Sequence, residues 1–134
     1  LNDLIHRDRI KENGSDMTLA VDTYNFIGSE GRIKRGINYA IAIVISSNGN
    51  VISLQGLTGF CKVKKYYDSP TAICEPEIKI IDAVNGLIHL VIDGETTKNI
   101  RPSIYKYDIF FVNELGEYSS FLEGEIEFSY SVSI

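Results

Sequence analysis

From Met17 onward, apolar and polar side chains alternate in short runs, the period expected of strands with one face buried and one wet. The runs are MTLAVDTYNF (17–26), YAIAIVIS (39–46), FCKVKKYY (60–67), PEIKII (76–81), GLIHLVID (86–93), IYKYDIFFV (104–112), GEYSSFL (116–122) and EIEFSYSVSI (125–134). Glycine and asparagine punctuate them, at Gly28, Gly31, Gly36, Asn48-Gly49, Gly56, Gly59, Asn85-Gly86, Asp93-Gly94 and Gly116, where the chain can reverse. Short strands at this spacing predict an all-β domain over residues 17–134, an antiparallel sandwich or barrel. The last run is the plainest: Ile126, Phe128, Tyr130, Val132 and Ile134 share one face, and Glu125, Glu127, Ser129, Ser131 and Ser133 the other.

Two segments depart from that rhythm. In LNDLIHRDRIKEN (1–13), Leu1, Leu4, Ile5 and Ile10 recur at helical spacing, which predicts a short amphipathic helix stopped by Asn13-Gly14-Ser15. A helix of this length is marginal alone, so residues 1–16 are expected to form an arm that docks on a neighbour. In YAIAIVI (39–45) both faces are apolar, with Tyr39, Ile41, Ile43 and Ile45 on one and Ala40, Ala42 and Val44 on the other. Such a strand needs cover on both sides, from a tight core, the arm or another subunit.

The stretch YKYDIFFVNELGEYSSFLEGEIEF (105–128) reads as a hairpin. Asn113-Glu114-Leu115-Gly116 suits a type I turn closed by a glycine of positive φ. Asp108 and Glu123 are then strand-surface groups, since an acid/base pair needs a set carboxylate separation in a cleft.

Composition narrows the functional classes. At 134 residues, 44% hydrophobic, the chain suffices for one ordinary core. A net charge of −5 opposes nucleic-acid binding, which needs a cationic surface to displace counterions. The longest apolar run is far short of the ~20 residues that span a bilayer as a helix, and no basic-then-apolar leader opens the sequence; a soluble, unexported protein away from membranes is expected. Cys61 and Cys74 lie in or beside strand-like segments and are read as small buried apolar groups in a reducing compartment.

No chemical constellation emerges. His6 stands near Asp3 and Asp8 on the predicted helix, a pattern typical of solvated surface pairs. His89 points away from Ile88 and Leu90 with no nucleophile beside it. Gly28-Ser29-Glu30-Gly31-Arg32 lacks the Lys-Ser/Thr ending of a phosphate loop and reads as a linker or turn. The expectation is therefore a non-enzymatic chain with no metal and no cofactor. Two basic clusters, Arg32, Lys34 and Arg35, and Lys62, Lys64 and Lys65, stand against an acidic C-terminal segment with Glu114, Glu117, Glu123, Glu125 and Glu127. The ordinary reading is a solvated face with lysines guarding a sheet edge; the sharper one is head-to-tail complementarity between copies.

The order of features from Lys34 onward resembles a phage virion module, the all-β N-terminal domain of baseplate upper proteins and related small tail or neck proteins. The resemblance rests on RGINYAIAIVIS, VISLQGLTGFCKVKK, NGLIHLVID and ETTKNI ahead of IYKYDIFFVNELGEYSSFLEGEIEFS. Within them stand a Leu-x-Gly turn (Leu54, Gly56), a Tyr-x-Tyr-Asp strand (Tyr105, Tyr107, Asp108) and a terminal Glu-Gly-x-Ile (Glu123, Gly124, Ile126). Residues 1–31 have no counterpart, and Arg101-Pro102-Ser103 replaces a Pro-Gly-like turn. The resemblance implies an Ig-like antiparallel β-sandwich and a non-enzymatic structural protein of the tail, baseplate or neck. It implies assembly in the host cytoplasm with other virion proteins, in repeated copies or as a homo-oligomer. The residues expected to bind partners are Leu1, Leu4, Ile5 and Ile10 in the arm, with Arg32, Lys34 and Arg35 as a second patch. Alternatives are a capsid decoration protein, or a carbohydrate- or receptor-binding module with Tyr66 and Tyr67 as stacking platforms.

Overall fold

A computed structural model describes residues 18–19, 23–47 and 49–130. The arm expected over residues 1–16, with Leu1, Leu4, Ile5 and Ile10, lies outside the described residues, as does His6. Within them the chain is all-β. In chain order the elements are β1 (Thr18–Leu19), α1 (Gly28–Gly31), β2 (Ile33–Lys34), β3 (Tyr39–Ser47), β4 (Asn50–Val51), β5 (Thr58–Lys64), β6 (Glu77–Asp82), β7 (Leu87–Ile92), α2 (Gly94–Thr97), β8 (Ser103–Val112) and β9 (Tyr118–Ser129).

The strands form one hydrogen-bonded path, β1-β3-β7-β6-β5-β8-β9-β2, with β4 added to β3. Its centre is thin: β5 and β6 meet in register only at Phe60 and Glu77. On one side of that junction lie β6, β7 and β3, and on the other β5, β8 and β9. Inward residues of both halves, among them Ile41, Ile43, Ile88 and Leu90 from the first and Val63, Tyr107, Ile109 and Phe111 from the second, belong to one buried cluster. The sheet thus curls so that its two halves enclose a common core, as the two layers of a sandwich would. Each fully buried Ile or Phe contributes roughly 1.5–3 kcal/mol relative to exposure.

The long pairings are antiparallel, as expected, but the two outermost are parallel: Thr18 and Leu19 with Val44 and Ile45, and Ile33 and Lys34 with Phe128 and Ser129. Residues 23–26 extend the second of these, bridging Thr23 to Glu123 and Phe26 to Ile126. Their backbone bonds are Tyr24 N to Glu123 O, 2.9 Å, Phe26 N to Glu125 O, 2.8 Å, and Glu127 N to Phe26 O, 2.8 Å. This segment closes the free edge of β9, and Phe26, fully buried, packs edge-on against Tyr107 with ring centroids 5.1 Å apart.

The Asn113–Gly116 turn forms as predicted. Gly116 N donates to Asn113 O and Asn113 N to Glu117 O, both 3.0 Å, Asn113 Oδ1 accepts from Leu115 N and Glu117 N, and Gly116 takes a φ of 83°. The two runs expected after it are one continuous strand, β9. Gly124 lies within that strand, as expected of the terminal Glu-Gly-x-Ile, and a Cβ at this position would stand 2.0 Å from Tyr24 O. It is glycine because residues 23–26 cross directly over it.

Gly28–Gly31, expected as a linker or turn, is a single helical turn. The Ala/Val face of β3 is graded, with Ala42 buried, Val44 half-buried and Ala40 exposed. β5 is an interior strand, paired with β8 along its whole length on one side and bridged on the other at Phe60 to Glu77 and Val63 to Cys74, so Lys62 and Lys64 do not lie on a free edge.

Candidate docking groove

A concavity lies on the outer face of β5, β8 and β9. It encloses about 360 Å³ and is lined by Lys62, Lys64, Lys106, Asp108, Phe110 and Tyr118, with Tyr67, Ser120 and Tyr107 completing it. The alternation that sends Cys61, Val63, Tyr107 and Ile109 inward sends Lys62, Lys64, Lys106 and Asp108 outward. Register sets them in rows: Lys62 beside Asp108, Asp108 beside Glu123, Lys64 beside Lys106, and Lys106 beside Glu125.

A β-bulge completes the face. Ile109 pairs with Leu122 but Phe110 with Ser120, so residue 121 is the extra one in β9. That insertion switches the strand's parity. Leu122 remains in the core while Ser120 joins Phe110 on the outside. Phe110 then stacks between Phe60, with centroids 5.5 Å apart, and Tyr118, at 5.6 Å. The result is an aromatic ladder on a surface where the strand pattern calls for polar residues; Tyr118 is 74% exposed.

The charged floor is unevenly satisfied. Lys106 Nζ pairs with Glu125 Oε2 at 2.6 Å and lies 5.6 Å from the centre of the Tyr67 ring. The Glu125 hydrogen bond pushes the Lys106 pKa upward. Tyr67 Oη donates to Gly124 O at 3.3 Å, which pins the loop after β5 over the groove, and burial followed by the nearby Glu123 charge raises its pKa. Burial likewise pushes the Asp108 carboxyl up, with Lys64 and Lys62 drawing it part of the way back. Asp108 and Glu123 are neighbours on an open sheet face, the surface role expected of them.

The residues expected to bind partners are elsewhere. Arg32 and Lys34 are exposed near β2. Arg35 is engaged within the chain: its Nη1 donates to Ile100 O at 3.0 Å and its guanidinium lies 4.8 Å from the centre of the Tyr130 ring. Of the two tyrosines expected as stacking platforms, Tyr67 lines the groove and Tyr66 does not. Phe60, Phe110 and Tyr118 were not singled out; Phe60 and Phe110, on the polar phase of β5 and β8, were a readable signal, whereas Tyr118 of β9 joins them only through the bulge.

Cys61 and Cys74 are free and buried. Burial, first among the causes, raises both thiols, Cys61 well above its ordinary value and Cys74 to about 11, so neither is poised as a nucleophile. No group of three His, Cys, Asp or Glu among the described residues is placed to hold a metal ion, and no helix among them is long and apolar enough to cross a membrane.

No family model matches the chain, and no curated protein sequence matches it. Among solved structures it is similar to the N-terminal domain of phage TP901-1 ORF48, at 18% identity and a TM-score of 0.50, covering 86% of this chain and 99% of that one. A second likeness is to a family 123 glycoside hydrolase from Clostridium perfringens, at 17% identity and a TM-score of 0.36, covering 87% of this chain but 24% of the enzyme; at that score it carries no argument about this chain.

Proposed function

We propose, from the fold likeness to that phage domain over nearly its whole length, that this chain is a non-enzymatic structural component of a phage virion. It belongs to the tail, baseplate or neck, joins other virion proteins and recurs in several copies. The observation that carries the reading is the fold match over 86% of the chain. The order of sequence motifs supports it independently, because each has a structural duty in this fold. Leu54 is buried at the turn closed by Gly56, with Leu57 N donating to Leu54 O. Tyr105 and Tyr107 are core residues whose hydroxyls donate to Arg101 O and Tyr24 O, each at 2.7 Å. Gly124 admits the crossing segment, and Ile126 is buried.

In this reading affinity comes from apolar surface covered in a repeated assembly, with charge setting register. The exposed Leu115 between Glu114 and Glu117 at the β8–β9 tip is suited to such a contact, and the arm with Leu1, Leu4, Ile5 and Ile10 is the principal grip. Deleting residues 1–13 is expected to leave a folded chain, with an unchanged β-type circular dichroism spectrum, that no longer enters particles. Normal incorporation of the truncated chain would overturn the role of the arm.

A further inference from the structure

Joining virion proteins gives no task to the particular chemistry of the groove on β5, β8 and β9. Lys62 and Lys64 project from the same face of one strand, two residues apart, hence ~7 Å apart. The ion pairs among the described residues are Lys98 with Glu95 and Lys106 with Glu125, so among those residues neither ammonium group has a carboxylate at contact distance. Beside them Tyr118 has one ring face against Phe110 and is otherwise open to solvent. Asp108 supplies an acceptor, and the Tyr67 hydroxyl, whose proton goes to Gly124 O, supplies a second.

We infer that this groove binds an acidic saccharide, its carboxylate held by Lys62 and Lys64, its ring lying on Tyr118, and its hydroxyls bonded to Asp108 and Tyr67. Three observations favour this class of ligand over a peptide strand. The groove lies on the face of the sheet, and the backbones of β5 and β9 are already paired to β8 there, so an added strand would find no ladder to extend. The polar groups lining it mix donors and acceptors, which suits a polyhydroxylated ring better than an apolar side chain. Its volume, about 360 Å³, is at the small end of ligand sites, which run ~300–1,000 Å³, and fits a short saccharide. The cations select the acidic form: Asp108, cross-strand from Lys62, balances one of the two positive charges, and a neutral sugar would leave the other unbalanced.

The inference stands apart from the assembly reading, and failure of particle incorporation would leave it untouched. The test is titration of the isotopically labelled full chain with trigalacturonate, following backbone amide shifts, with maltotriose and inorganic phosphate as comparison ligands. The expected result is saturable binding of trigalacturonate, with shifts confined to residues 60–67, 106–110 and 118–120 and weakened by added salt. Maltotriose and phosphate should each bind at least ~10-fold more weakly, and Tyr118→Ala or the pair Lys62→Gln and Lys64→Gln should cost ~10-fold with the fold retained. Absence of saturation, shifts centred elsewhere, equal binding of phosphate, or unchanged binding by both folded variants would overturn it.

Discussion

The two faces of β5, β8 and β9 are made by the same strands and the same alternation, yet they answer to different demands. Inside, Val63, Tyr107, Ile109, Phe111 and Leu122 are sealed into the common core, where shape and volume decide each residue. Outside, Lys62, Lys64, Asp108, Phe110 and Tyr118 surround an open groove, where fold stability is nearly indifferent to identity. The inner face therefore teaches what the fold needs, and the outer face what the fold leaves free for recognition.

The contrast can be broken most forcefully from within. Phe111→Ala empties a fully buried site and is expected to cost ~3–5 kcal/mol in denaturant unfolding; a loss below ~1 kcal/mol would mean that the two halves do not share a packed core. Gly124→Ala acts at the seam, pressing a methyl group toward Tyr24 O. It is expected to cost ~1–3 kcal/mol, and amide exchange should show protection lost first at Tyr24 and Phe26.

The buried thiols sharpen the comparison through pH. Because burial raises the folded pKa of Cys74 to about 11 from an ordinary value of 9.0, the folded state holds its proton where the unfolded chain releases it. The Cys74 contribution to stability is then constant below pH ~9 and falls between ~9 and ~11. Replacing Cys74 with Ala should remove its share of the fall and leave that of Cys61, and native protein should resist thiol alkylation at pH ~8 until unfolded. Tyr107→Phe removes the donor to Tyr24 O and is expected to cost ~1 kcal/mol. The smallest effect belongs to the outer face: Tyr118→Ala should change stability by less than ~0.5 kcal/mol, and a core-sized loss there would erase the distinction between faces.

The sequence was informative where one force acted alone. Period-two alternation marked β5 to β8, a run apolar on both faces marked β3, and turn chemistry marked Asn113–Gly116, because each of these signals acts over a few residues. It was least informative where distant segments meet. Nothing near Gly124 indicates that residues 23–26 will cross it. The bulge at residue 121 was hidden for the same reason: a parity switch in β9 shows only against the register of β8. The groove followed from that switch. Lys62 and Lys64 were visible as a basic cluster, but Phe60, Phe110 and Tyr118 come together only through cross-strand pairing. Arg35 was visible as a charge, whereas its bond to Ile100 O depends on a contact sixty-five residues away.

As a proposed building part of a phage particle, this curled sheet should travel with the particle. Quantitative mass spectrometry of particles purified from a lysate of the host that encodes the chain tests this most directly. The account predicts the chain in intact particles at a fixed copy ratio to the other tail proteins, retained through high-salt washing. Recovery of the chain only in the particle-free fraction would contradict it.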